Sequence, residues 1–209
     1  MLYLCTGTNA TKKITMKKLE ITLYKFEELT QEAKNFAIEK EQNNNDPFSL
    51  DMFKENCIEQ IIEAGFKGNE KVQYSLSYSQ GDGLSFECDY FEKMNDIFVQ
   101  VLGVGKQKTI DLLINNISFS LKGNEGRYCY ASKKDITLEL DSYNVKSPIN
   151  IELVIDKVRE KIQFLYRDLC NKLEIDGYNE IEFQESYEYI SENLISNEYD
   201  FLESGEIYF

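Results

Sequence analysis

Apolar residues recur along the chain with two different periods, and each change of period marks an element. KLEITLYKF alternates at Leu19, Ile21, Leu23 and Phe26, with Tyr24 interrupting, and this predicts a strand. Thr30 stands where an N-cap belongs for the helix QEAKNFAIEKEQ, whose Ala33, Phe36, Ala37 and Lys40 stem share one face. After the polar break NNNDP, Leu50, Phe53, Cys57, Ile61 and Ala64 recur at spacings of three and four, predicting a second helix closed by Gly65. VQYSLSYS and LSFECDYF read as two strands joined by QGDG, whose glycines suit the positive φ of a tight hairpin. A short, strand-like apolar run, IFVQVL, precedes a helix in KQKTIDLLINN. A meander follows, made of ISFSLK, the turn GNEG, RYCYAS and ITLELDSY. The strongest helical stripe lies in VIDKVREKIQFLYRDLCNKL, with Val154, Val158, Ile162, Leu165, Leu169 and Leu173 on one side and charges opposite.

The same helical logic continues into the next segment. Phe183, Tyr187, Ile190 and Leu194 fall at spacings of four, three and four, so this stretch is expected to be a packed helix rather than a disordered tail. NEYDFLESGEIYF then predicts a short hairpin about Ser204 and Gly205. The sum is an α+β fold of antiparallel hairpins packed with four to five helices, forming one domain over residues 17–209. Residues 1–16 are expected to be a loose leader, because TGTNATKKIT has neither period, and Met16 is an alternative start.

Charge changes this picture most in residues 173–209. They hold eleven acids and no lysine, arginine or histidine, within a chain of 209 residues and net charge −14. On one helix, Glu185, Glu188 and Glu192 would rise by about 4.5 and 6 Å along one side, loosely like a phosphate backbone. Solvated helix faces normally interleave lysine for i,i+4 pairing; here the repulsion is left standing, which points to an external basic partner. General nucleic-acid binding is disfavoured by the same charge. No apolar run approaches the roughly 18 residues of a membrane-spanning helix, so the expectation is a cytosolic, cytoplasmic protein with no membrane partner.

The chain has no histidine, which excludes imidazole-based triads, histidine-ligated zinc and histidine proton shuttles. Cys5, Cys57, Cys88, Cys129 and Cys170 are odd in number and widely spaced, so they suggest neither a disulfide framework nor a metal knuckle. LGVGKQKTIDLL imitates a phosphate loop but has Gln100 where the first glycine belongs and Gln107 where magnesium needs Ser or Thr. SYSQGDGLSFECDY is the most distinctive string. It is either a demanding turn or a loop site of Ser79, Gln80 and Asp82, with Glu87 or Asp89 as a nearby acid or metal ligand. The leading expectation includes no cofactor and no metal.

YKFEELTQEAKNFAIEK, SQGDGLSFE, GRYCYAS and SNEYDFLESGEIYF, in this order across residues 17–209, resemble segments of small phage- and prophage-encoded proteins, some labelled antitoxin-like. In that family the GRYCY segment often carries a histidine near the position of Tyr130, so any histidine chemistry of relatives would be absent here. The resemblance implies an accessory protein that binds and blocks host defence machinery. Combined with the acids, it leads to a stoichiometric inhibitor of a host nucleic-acid-targeting complex, such as a CRISPR effector, with a basic protein or ribonucleoprotein as partner. The expected contact residues are Glu182, Glu185, Glu188, Glu192, Glu198 and Asp200, with Tyr187, Tyr189 and Tyr199 as anchors. Alternatives are an antitoxin capping a basic toxin, and a carboxylate-based or metal-dependent enzyme centred on the SQGDG hairpin.

Overall fold

A computed structural model of the chain describes residues 20–44, 50–123, 128–141 and 150–208. The fold is α+β. Among the described residues there are six α-helices: α1 (Gln31–Asn44), α2 (Leu50–Ala64), α3 (Met94–Leu102), α4 (Gln107–Ile114), α5 (Ile151–Gln184) and α6 (Tyr187–Ser196). The strands form two-stranded antiparallel pairs: β1 (Phe66–Lys67) with β4 (Tyr90–Phe91), β2 (Lys71–Ser75) with β3 (Gly83–Glu87), β5 (Ile117–Gly123) with β6 (Lys134–Leu140), and β7 (Asp200–Phe201) with β8 (Ile207–Tyr208). Contacts group the residues into two compact units, one of residues 45–186 and one joining the segment up to 44 with that from 187 onward. The sequence pattern suggests one domain over 17–209; the leader 1–16 lies outside the described residues.

In the larger unit, α5 is the spine. Val154, Val158, Ile162, Tyr166, Cys170, Leu173 and Gly177 of α5 are buried, mostly at four-residue steps. Of the expected stripe Val154, Val158, Ile162 and Leu173 are buried and Leu169 is half-buried; only Leu165 is exposed, because Tyr166 takes the inward place. Tyr166 sits edge-on to Phe86, with centroids 4.9 Å apart, and Phe66 packs in turn on Phe86 and Phe91 at 5.2 and 4.7 Å. Such aromatic pairs contribute about 0.5–1.5 kcal/mol each beyond their burial. Gly177 lies inside the helix for a steric reason. A Cβ there would lie 2.5 Å from Leu76 Cδ1 and 2.8 Å from Phe53 Cζ, so its absence lets the β2–β3 loop and α2 close on α5.

Three local expectations are overturned here. IFVQVL belongs to α3 rather than to a strand, since a short apolar run does not by itself distinguish the two. The helix ends where Gly103, at φ 87, donates its N–H to the Val99 carbonyl, and the phosphate-loop mimic is this cap followed by a 3-10 turn. Tyr128–Tyr130 of RYCYAS are not in a strand; Tyr128 and Tyr130 stack on each other at 5.6 Å and turn toward the β2–β3 loop. The connection expected in QGDG is likewise longer than those residues. Ser75 pairs with Gly83, leaving seven residues in the connection, and the left-handed φ in it falls on Tyr78. The expected GNEG turn extends outside the described residues.

The smaller unit is built from segments far apart in sequence. Phe26, Leu29, Ala33, Ala37 and Ile38 pack with Ile190, Leu194 and Phe201. Thr30 caps α1 through its Oγ1, which accepts from the Ala33 N–H at 3.3 Å. Phe36, expected on the inner face, is exposed, and Ile38 takes its place. The strand expected in KLEITLYKF reduces, over its described residues, to a single bridge in which Tyr24 and Phe201 exchange backbone hydrogen bonds of 2.9 and 2.8 Å. Ile21 and Leu23 face solvent, so the alternation there buries nothing. The C-terminal hairpin forms about Gly205 as expected, with φ 88. A Cβ there would lie 2.1 Å from the Ala33 carbonyl oxygen, so only glycine fits.

Candidate functional site

Two groups of residues stand out in the sequence, and the structure treats them differently. At the β2–β3 loop, Asp82 is 8% exposed. Its Oδ1 accepts from the hydroxyls of Ser75, Ser77 and Ser79 at 2.9, 3.0 and 2.9 Å. Its Oδ2 accepts from the backbone N–H of Ser77 and Ser79 at 2.7 and 2.8 Å, and from the Tyr178 hydroxyl at 2.8 Å. Burial opposes its ionisation, but the hydrogen bonds from Ser79, Tyr178 and Ser75 outweigh it and hold the carboxyl well below its usual range. Six donors exceed the roughly four lone-pair sites of a carboxylate, so the ionised group is saturated from within the protein. Asp82 is a clasp that ties the loop to α5.

Ser75 ends β2, and the chain then bends through residues 77–79 with Tyr78 at φ 55, which wraps the three serines round the carboxylate. The clustered serines are visible in YSLSYS; Tyr178, 96 residues from Asp82, leaves no local signal. Gln80 contributes its backbone carbonyl, which accepts from the Tyr130 hydroxyl, and its side chain is exposed. Tyr78 packs on Tyr178 with centroids 4.7 Å apart. A Cβ at Gly81 would lie 3.1 Å from the Tyr128 ring, and one at Gly83 would lie 3.1 Å from the Tyr130 ring. The stacked tyrosines thus cover the glycines at the entry to β3.

Farther along β3, Glu87 is paired at 2.5 Å with Lys134, whose side chain is 2% exposed. The hydrogen bond from Lys134 is the main cause that lowers the Glu87 carboxyl. Asp89 is instead at the surface with Lys122, 2.9 Å away. Among the described residues no three acids or thiols lie together as metal ligands would. Burial pushes the thiols of Cys57, Cys88 and Cys170 up to about 12, and raises that of Cys129, so they are protonated and poorly nucleophilic near neutrality.

The acidic residues do not form the expected single helix. α5 stops at Gln184; Glu185 and Ser186 donate backbone N–H groups to the carbonyls of Ile181 and Phe183, and α6 starts at Tyr187. Glu182 and Glu185 therefore belong to the larger unit, and Glu188, Glu192, Glu198 and Asp200 to the smaller. The straight rises expected along one helix do not apply. Phe183 and Tyr187, expected in the core, are exposed, while Ile190 and Leu194 are buried as expected. Of the three tyrosines, Tyr187 and Tyr199 are exposed, and Tyr189 is half-buried against the small core.

Compensating charge, absent from the tail's own sequence, arrives from the opposite segment. Lys25 pairs with Asp200 at 2.8 Å and donates to the Glu198 carbonyl at 2.7 Å. Lys40 pairs with Glu206 at 2.7 Å and lies over the Phe36 ring. Lys34 donates to the Glu27 carbonyl and lies over the Phe26 ring. Across residues 20–44 and 187–208 there are twelve acids and these three lysines, a net charge of −9. At the end of α5, four more acids between Leu173 and Gln184 meet no cation in that stretch, against the preference of a helix C-terminus for positive charge.

Comparison with protein-family models, curated proteins and solved structures finds no match to this chain. No helix among the described residues is long and apolar enough to cross a membrane.

Proposed function

We propose that this is a phage or prophage accessory protein that acts by stoichiometric binding, occupying a basic nucleic-acid-binding surface of a host defence complex such as a CRISPR effector. The observation that carries the reading is the state of the lysines in the smaller unit. All three in its described residues are held by partners within that unit, so its outward field is set by carboxylates. Exposed Tyr187, Tyr199 and Phe36 supply the amphipathic and aromatic anchors that give an interface its affinity, while the acids steer encounter. The rival centred on SQGDG is weakened, because the Asp82 carboxylate is occupied by six donors of the protein itself.

The test is titration against a guide-loaded CRISPR effector, following loss of target-DNA binding. Inhibition should saturate at one copy per effector and weaken as salt rises, since the Debye length is about 8 Å at physiological strength. Reversing Glu188 and Glu192 to lysine should slow association about tenfold or more with little change in melting temperature. Inactivation below one copy per effector, or association of the reversed variant at the wild-type rate with no salt effect, would overturn the reading.

A further inference from the structure

The outward face of α5 is itself patterned. Lys157, Glu160, Phe164, Arg167 and Asn171 are exposed, with Phe164 at 69%, and Glu174 is half-buried. Their spacings run three, four, three, four, three, which places them on one stripe about 26 Å long. Hollows lie along its flanks: one of 670 Å³ includes Ile97, Val101, Lys161 and Leu165, and one of 360 Å³ includes Arg159, Gln163 and Arg167. Lys157, Glu160, Arg167 and Glu174 form no ion pair with another described residue.

The series of spacings reads the same in both directions, and its chemistry is complementary to its own reverse. Laid antiparallel on a second α5, Lys157 faces Glu174, Glu160 faces Asn171, and Phe164 faces Arg167. Each contact occurs twice about the two-fold axis, as an isologous interface requires. The alternating steps are those of an antiparallel helix seam, and guanidinium over a phenyl ring is a favourable cation–π contact. From this charge complementarity we infer that the occupant of the stripe is a second copy of this chain, and that the protein pairs through α5 into a two-fold dimer. Phe164 of each copy packs on Arg167 at the edge of the other copy's 360 Å³ hollow. The dimer then carries its acid-rich surfaces in duplicate.

Charge exchange tests this with the full chain in sedimentation equilibrium at low salt. Lys157→Glu or Glu174→Lys alone turns both ion pairs into repulsions and should raise the dimer dissociation constant about tenfold. Combining the two restores opposite charges across the axis and should bring dimerisation back, whereas merely additive damage would refute the pairing. Phe164→Ala should weaken the dimer at least as much as either reversal, and it keeps the proposal testable if Glu174→Lys fails to melt cooperatively. A wild type that stays monomeric to high micromolar concentration overturns the inference. So does a monomer whose stripe instead takes a synthetic acidic amphipathic helix, since the face would then belong to a foreign partner.

Discussion

In the larger unit a carboxylate at Asp82 and an ammonium at Lys134 are taken almost wholly out of water, and each is matched by named partners. In the smaller unit twelve acids stand against three lysines across its described residues, and the ion pairs Lys25–Asp200 and Lys40–Glu206 are half-exposed. Desolvation explains why these arrangements do different work. A buried charge is costly unless saturated, so it specifies local geometry and makes its donors indispensable. An exposed pair contributes little to stability, so surface acids are free to be set by what they meet. Charge thus acts as architecture in one unit and as field in the other.

Substitution at Asp82 should do the most damage. Asp82→Ala strands its donors and should cost about 3 kcal/mol or more in a urea or thermal melt. If the loss is below roughly 1 kcal/mol, the clasp is not structural and the contrast between the units fails. The same carboxyl shapes the acid response. Its folded pKa lies below the unfolded value of about 3.9, so its stabilisation is complete above that value and is lost as pH falls through the folded pKa. Wild type should therefore lose stability steeply below about pH 4, and Asp82→Asn, starting lower, should show a flatter curve.

Gly205→Ala is expected to come next, at about 2–3 kcal/mol, because it combines a left-handed φ with a clash against a backbone oxygen that cannot move aside. Hydrogen exchange should place the damage in α1, α6 and the β7–β8 hairpin. Gly177→Ala in the larger unit should cost less, about 1 kcal/mol, since alanine regains helix propensity there and the obstacles are side-chain ends that can shift. A larger effect at Gly177 than at Gly205 would reverse this ranking. The smallest change should come from Lys25→Ala, within about 1 kcal/mol, because its pair with Asp200 is exposed. A melt showing more than that would make charge architectural in the smaller unit too.

Local order is largely legible in the amino acids. The three- and four-residue periods of α2 and α5, the Thr30 cap and the glycine of the C-terminal hairpin act within a few residues of where they are written. The same holds for the serine cluster beside Asp82, although its meaning emerges only with the carboxylate it surrounds. Where a period is short or mixed, as in IFVQVL, KLEITLYKF and the stretch from Phe183 to Leu194, it names the wrong element or misses a break, because a few apolar residues fit more than one periodicity.

Composition and period are properties of the chain alone, and they suffice for the α+β class, the lack of imidazole chemistry, the main helices and the concentration of acid after Lys172. What those residues do depends on the folded arrangement. Folding brings Tyr178 to Asp82 and Lys134 to Glu87, turning a candidate loop site into a saturated clasp. It also brings Lys25 and Lys40 to the acids of the last segment and divides those acids between two units. Each of these pairings joins residues separated by tens of positions or more. Such contacts follow from which surfaces exclude water together, and no local pattern along the chain encodes that choice.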